Sequence, residues 1–229
     1  MITTYFNRDV YGNFINKQKV VANYTRALGD KKVKWNNAFY AETTSESVDF
    51  QNGTKLDYME GFCYVPSEEM LKQESFEGFP SMSIHAQNMV WDMMGLEHFA
   101  WNFWGKLKLN ETYFAKESNS KLDLAGAGSF ENKDIQLSWI GITTQNNEVC
   151  AVIEFRVFNN PLELNSETIK TKGRSNYWGR INVSLKDKQI EGAVLFEDVV
   201  QEIKFSGQEK GMIMDTFREI KLERLNPGV

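Results

Sequence analysis

The feature that most constrains this chain is a series of long segments in which apolar and polar residues alternate. A period of two is typical of β-strands that are buried on one side. Short polar turns such as Asn146-Asn147 separate the segments, and strands joined by short turns pair as antiparallel neighbours. The pattern therefore predicts an antiparallel β-meander whose strands are centred near Trp139, Ile153, Ile181, Val194 and Phe217.

Helical spacing of apolar residues predicts two helices in the first half of the chain. One covers residues 14–28 and ends at Gly29, and the other covers residues 81–94 and ends at Gly95. Beyond the second helix, residues 99–109 alternate again and predict a further strand.

These elements place the chain in the α+β class, with a high content of β-structure. We expect a long-stranded, curved antiparallel meander that forms a barrel or half-barrel and is covered by about two helices. One domain over residues 1–229 is the simplest organisation. The alternative is a subdomain over residues 1–80, with a helix and a hairpin at Asn52-Gly53, beside a helix and meander over residues 81–229. The architecture resembles lipocalin-like barrels and NTF2-like or START-like sheets at the level of fold alone, because no diagnostic motif matches.

Charge and composition exclude several classes of function. The chain has 26 basic and 31 acidic residues, a net charge of −5, whereas nucleic-acid-binding proteins usually carry a basic excess. It contains two histidines and two cysteines, Cys63 and Cys150, without the spacing of a zinc site. We therefore expect no nucleic acid, no metal and no cofactor, and we expect both thiols to be reduced and buried.

The beginning of the chain lacks the basic and apolar regions of a signal peptide, and no apolar stretch is long enough to span a membrane. We expect a cytoplasmic protein without a membrane span, unless a signal peptide has been trimmed from the sequence. An oligomer is also compatible with the sequence, because the edge strands of an open sheet need to be covered.

Two motifs have both a structural and a functional interpretation. Gly126-Ala127-Gly128 resembles the start of a dinucleotide-binding loop, but Glu131 stands where the third glycine belongs, so we expect a hairpin loop. His85, Asn88 and Asp92 fall on one side of the second predicted helix. They indicate either a solvated polar stripe, which is the simpler interpretation, or an acid–base group oriented by a carboxylate.

The meander sorts its residues onto an apolar face, expected to include Val149 and Leu185, and a mixed face, expected to include Glu197. If the mixed face is the interior of a barrel, its charges must be paired and mark a polar ligand site. If it faces water, which the sequence favours, the charges form ordinary cross-strand ion pairs. The candidate ligand-binding residues on this face are Trp104, Glu154, Arg156, Trp178 and Arg180.

Three functions fit these observations. The first is a binding protein that holds a small apolar or amphipathic ligand in a cavity of the curved sheet, because aromatic residues make up 13% of the chain. The alternative is a structural or protein-interaction module whose exposed aromatic residues pack against a partner. A second alternative is an enzyme on the same scaffold that transfers protons through a carboxylate or through His98, expected at the start of the 99–109 strand.

Overall fold

One antiparallel sheet contains the thirteen strands of the described residues. The structure is a computed structural model that describes residues 1–27, 31–51, 53–80, 83–165, 168–208 and 210–225. The strands are β1 (Ile2–Asp9), β2 (Phe14–Arg26), β3 (Val33–Thr43), β4 (Thr54–Lys55), β5 (Cys63–Tyr64), β6 (Thr112–Phe114), β7 (Ser120–Asp123), β8 (Gly128–Asn132), β9 (Gln136–Gln145), β10 (Glu148–Asn165), β11 (Ile169–Ser184), β12 (Ile190–Phe205) and β13 (Met212–Glu223). The other described elements are the helix α1 (Ile84–Trp101) and short 3-10 turns at Asp57–Met59, Glu68–Leu71, Gln73–Phe76 and Lys116–Ser118.

Strands β9 to β13 form the predicted meander, since each pairs antiparallel with the next. The order across the sheet is β4-β3-β2-β1-β13-β12-β11-β10-β8-β7, and β9 also pairs with β10. The first strand therefore lies beside the last. The path ends at β4 on one side and at β7 on the other, so the described strands do not close into a barrel.

Helix α1 lies on one face of the sheet, which we call the helix face; the opposite surface is the outer face. Phe99 of α1 packs against Phe155 of β10, with 5.2 Å between the ring centroids. On the other side of the helix, the Trp91 indole N–H donates a 2.9 Å hydrogen bond to the Met70 carbonyl. The helix is therefore covered on more than one side, and its apolar residues are not confined to a single narrow stripe. Its buried apolar residues are Ala86, Met89, Val90, Met93, Leu96, Phe99 and Ala100.

The helix predicted over residues 14–28 is wrong, because this segment forms β2. Polar Asn16 and Gln18 lie on the helix face of this strand and interrupt the apolar alternation. A bulge after Val21 then shifts the pairing with β3. As a result, the apolar residues fall at intervals that imitate a helix.

The second predicted helix is present, but it continues through Gly95 to Trp101 and replaces the first part of the strand predicted over residues 99–109. Gly95 does not adopt a positive φ, so its backbone does not end the helix. Phe99 and Phe103 are both buried and are four residues apart, which suits one side of a helix as well as alternation suits a strand. The described residues therefore contain one covering α-helix rather than two.

Replacing Gly95 by alanine is expected to stabilise the protein by about 1 kcal/mol, because glycine is the weakest ordinary helix former. A Cβ atom at this position would meet nothing within 4 Å. The free energy of unfolding of Gly95→Ala and wild type, measured in urea, checks this expectation. A loss of stability would show that Gly95 needs a conformation that alanine does not tolerate, as at a helix end.

Several smaller expectations also have a clear outcome. Cys150 is buried as predicted, whereas Cys63 is exposed, contrary to the prediction. Val149 and Leu185 are 51% and 41% exposed, contrary to the prediction; Val149 lies near the start of β10, and Leu185 follows the end of β11. Gly126 lies in the turn between β7 and β8, as predicted. Predicted helix and turn positions that lie outside the described residues are Leu28, Gly29, Asn52, Ser81 and Met82.

Candidate functional site

The register of β10 and β11 brings four of the five predicted site residues together. Glu154 is directly opposite Arg180, and Arg156 is directly opposite Trp178. Their neighbours Phe155 and Tyr177 pack beneath α1, so the four site residues point to the outer face. The mixed face is therefore the surface without the helix, as the sequence favours.

Glu154 binds both arginines of this group. One carboxylate oxygen lies 2.8 Å from Arg156 Nη2, and the other lies 3.5 Å from Arg180 Nη2. The Glu154 side chain is only 19% exposed, whereas those of Arg156 and Arg180 are 56% and 63% exposed. The carboxylate thus lies deep between two guanidinium groups that remain open to solvent.

Four aromatic rings on four adjacent strands form what we call the aromatic cluster. The centroids of Trp178 and Phe196 are 6.0 Å apart, and those of Phe196 and Phe217 are also 6.0 Å apart, with an angle of 23° between the latter planes. Phe158 extends the cluster onto β10, 6.4 Å from Trp178, and is 41% exposed. The three other rings are partly exposed. Of these four rings, the sequence predicts only Trp178 at the site.

A trough of about 980 Å³ on the outer face runs over this region and is open to solvent. Three rings of the aromatic cluster line it, together with Glu154 and the two arginines. Lys221 of β13 lies on its far side. The trough therefore combines an apolar surface with charged groups at its rim.

The prediction that Trp104 belongs to this site is wrong. Its segment is not a strand: the Trp104 N–H donates to the Trp101 carbonyl in the turn that follows α1. The Trp104 ring packs against the buried core and does not line the trough. Alternation from Phe99 onwards suggested a common face that the helix does not provide.

Glu197, predicted on the mixed face, instead faces α1 and belongs to a buried charged cluster. We define this buried triad as Asp92 of α1, Glu197 of β12 and Arg218 of β13. The Arg218 guanidinium binds both carboxylates, and the side chains of the triad are 10–13% exposed. Ser175 Oγ also donates to Glu197 at 2.5 Å. A register in which Glu197 is opposite both Tyr177 and Arg218 places it on the helix face.

Burial raises the pKa of Asp92 to about 6; Arg218 opposes this shift, and the Glu197 charge adds to it. The triad contains two acids and one base, so one carboxylate charge has no matching cation within it. The polar side of α1 is thus bound to the sheet and is not the solvated stripe expected for His85, Asn88 and Asp92.

His85 confirms that this side of the helix faces the sheet. Its Nε2 lies 2.9 Å from Gln18 Oε1, and its ring lies between Tyr5 and Tyr40, at 4.8 and 5.1 Å. Burial, and then the charge of Arg218, lower the His85 pKa to about 4. The imidazole is therefore neutral near pH 7.

His98 lies near the end of α1 rather than at the start of a strand. Asn102 Nδ2 is 2.6 Å from His98 Nδ1, and Ser118 Oγ is 2.9 Å from Nε2. Because the amide nitrogen donates, Nδ1 accepts and Nε2 carries the proton that is donated to Ser118. A general base acting on Ser118 needs the opposite polarity, so this arrangement does not activate the hydroxyl.

Among the described residues, no group of three or more histidine, cysteine or acidic side chains could hold a metal ion. No helix in the same parts of the chain has both the length and the apolar character needed to cross a membrane. No protein-family model, curated protein or solved structure matches this chain. The function must therefore be argued from the site itself.

Proposed function

We propose that this chain is a binding protein that holds a small amphipathic ligand in the trough on the outer face of β10–β13. The observation that carries the proposal is the aromatic cluster, in which four partly exposed rings meet on adjacent strands. Exposed apolar surface is unfavourable in water, and contiguous patches of it commonly mark binding sites.

The shape of the trough supports a small molecule with an apolar part. Its volume of about 980 Å³ is within the range of small-molecule sites. Because the trough is open, a bound ligand keeps one side in water and needs polar groups there. An amphipathic ligand meets both conditions. The site lies outside an open sheet, so the proposal does not require a lipocalin-like barrel.

Replacing Trp178 by alanine is expected to weaken binding of the neutral fluorescent amphiphile N-phenyl-naphthylamine by about tenfold, or about 1.4 kcal/mol. Trp178 contacts both Phe158 and Phe196, so its removal opens the middle of the aromatic cluster. Probe fluorescence titrated with folded wild-type and variant protein measures the effect. Tyr11→Ala is the matched control, since Tyr11 is an 86% exposed aromatic residue in the β1–β2 turn.

Two results would contradict the proposed site. One is equal affinity of wild type and Trp178→Ala for the probe, and the other is an equal loss of probe affinity in Trp178→Ala and Tyr11→Ala. The alternative of a protein-interaction module predicts a different result. In that case the probe does not bind to the trough, and Trp178→Ala instead changes the oligomeric state measured by sedimentation.

A further inference from the structure

We infer that the ligand carries a negatively charged group and that Arg156 and Arg180 bind it. This inference rests on the proposed function and names the chemical class of the ligand. It follows from three observations: the balance of charge around Glu154, the exposure of the two guanidinium groups, and their position beside Trp178.

The first observation is that two cations share one anion. Within the described residues, the ion pairs of Arg156 and Arg180 are both with Glu154, and each uses a different carboxylate oxygen. One carboxylate balances one of the two positive charges, which leaves a local charge of +1. In a chain with a net charge of −5, this local excess is opposite in sign to the whole protein.

The second observation is that the guanidinium groups still have donors to offer. A guanidinium has five N–H donors arranged to bind carboxylate, sulfonate or phosphate oxygens, often in pairs. The shortest contact with Glu154 is made by Nη2 in each arginine, and more than half of each arginine side chain is exposed. The Glu154 side chain is largely buried and orients the guanidinium groups of Arg156 and Arg180.

The third observation places these donors at the end of the apolar surface. Arg156 is the cross-strand neighbour of Trp178, and Arg180 is two residues further along the same strand, about 7 Å away. A ligand whose apolar part lies on the aromatic cluster therefore has its end beside both guanidinium groups. A single anionic group in this place neutralises the excess charge.

Two probes with nearly the same apolar body test the inference. Anilinonaphthalene sulfonate is N-phenyl-naphthylamine with an added sulfonate, so comparison of their affinities isolates the charge. We expect wild type to bind the sulfonate about tenfold more tightly, and Arg180→Gln or Arg156→Gln to remove most of this advantage. Both variants should lose more affinity for the sulfonate than for the neutral probe, since only the sulfonate carries the charge that the guanidinium groups bind. Added salt should weaken binding of the sulfonate only.

Arg174→Gln is the matched control. Arg174 is an exposed arginine on the same strand and the same face, about 20 Å from Arg180. Circular dichroism of each variant confirms that it is folded. Equal affinity for the two probes in wild type would overturn the inference, and so would an equal loss in Arg174→Gln and Arg180→Gln. If binding of the neutral probe still depends on Trp178, the proposed function survives this result. If neither probe binds, both proposals are overturned.

Discussion

Replacement of Arg218 by leucine is expected to lower the free energy of unfolding by about 3–5 kcal/mol near neutral pH. The arginine binds Asp92 and Glu197 under the helix, where all three side chains are almost fully buried. Without it, two like charges remain in a region of low polarity with no cation beside them. Because α1 is bound to the sheet partly through Asp92, the helix also loses an attachment to β13.

Urea unfolding measures this loss, and Arg8→Leu is its control. Arg8 forms a comparable ion pair with Glu46 at 3.4 Å, but the two side chains are 40% and 63% exposed, so its removal should change stability by less than about 1 kcal/mol. The loss in Arg218→Leu should be smaller near about pH 5, because burial raises the pKa of Asp92 to about 6 and its carboxylate binds a proton and becomes neutral in the variant. A similar small loss in both variants would show that the triad is not essential for stability.

Replacement of Gly179 by alanine should destabilise the protein by about 3 kcal/mol. A Cβ atom at this position would lie 2.0 Å from the Val194 carbonyl oxygen and 2.7 Å from Phe155 Cζ. The first of these atoms belongs to the backbone of the neighbouring strand, which cannot move away without breaking the β11–β12 pairing. Gly179 also lies between Trp178 and Arg180, so a displaced strand would disturb both parts of the candidate site.

The matched control for Gly179→Ala is Gly141→Ala. Gly141 is in β9, and a Cβ atom there would meet nothing within 4 Å. Its replacement should change the free energy of unfolding by less than about 1 kcal/mol, since only backbone propensity is altered. The free energy of unfolding of both variants, measured by chemical denaturation, tests this prediction. Equal values for the two variants would refute the close packing at Gly179.

The alternation in the sequence predicts β10 correctly because the helix face of this strand is largely apolar. Along β10, Ile153, Phe155 and Val157 alternate with polar or charged residues and are buried. Alternation fails in β2, where Gln18 faces the helix and binds His85. The sequence alone does not distinguish a polar residue in a buried hydrogen-bonded network from one that faces solvent. The role of Gln18 depends on a partner 67 residues away, which a local pattern does not contain.

The candidate site could be predicted in part, because it depends on the same alternation along single strands. Side chains alternate between the two faces along β10 and β11, and this alternation is enough to place four site residues on one face: Glu154, Arg156, Trp178 and Arg180. The prediction of their common face is correct. Recognition of the rest of the aromatic cluster requires the register between β11, β12 and β13, which the sequence of one strand does not determine. Trp104 does not share this face, because residues 99–101 continue α1 and Trp104 lies in the turn that follows the helix.

The position of β1 beside β13 has a consequence for the order in which the protein folds. Thr216 Oγ1 donates a 2.8 Å hydrogen bond to Asn7 Oδ1, although the two residues are 209 positions apart. During synthesis β1 can pair with β2 soon after both have emerged, but its other edge stays open until β13 has been made. Until then it is an unpaired edge that other nascent chains can join. The synthesis of β13 thus completes the pairing of β1.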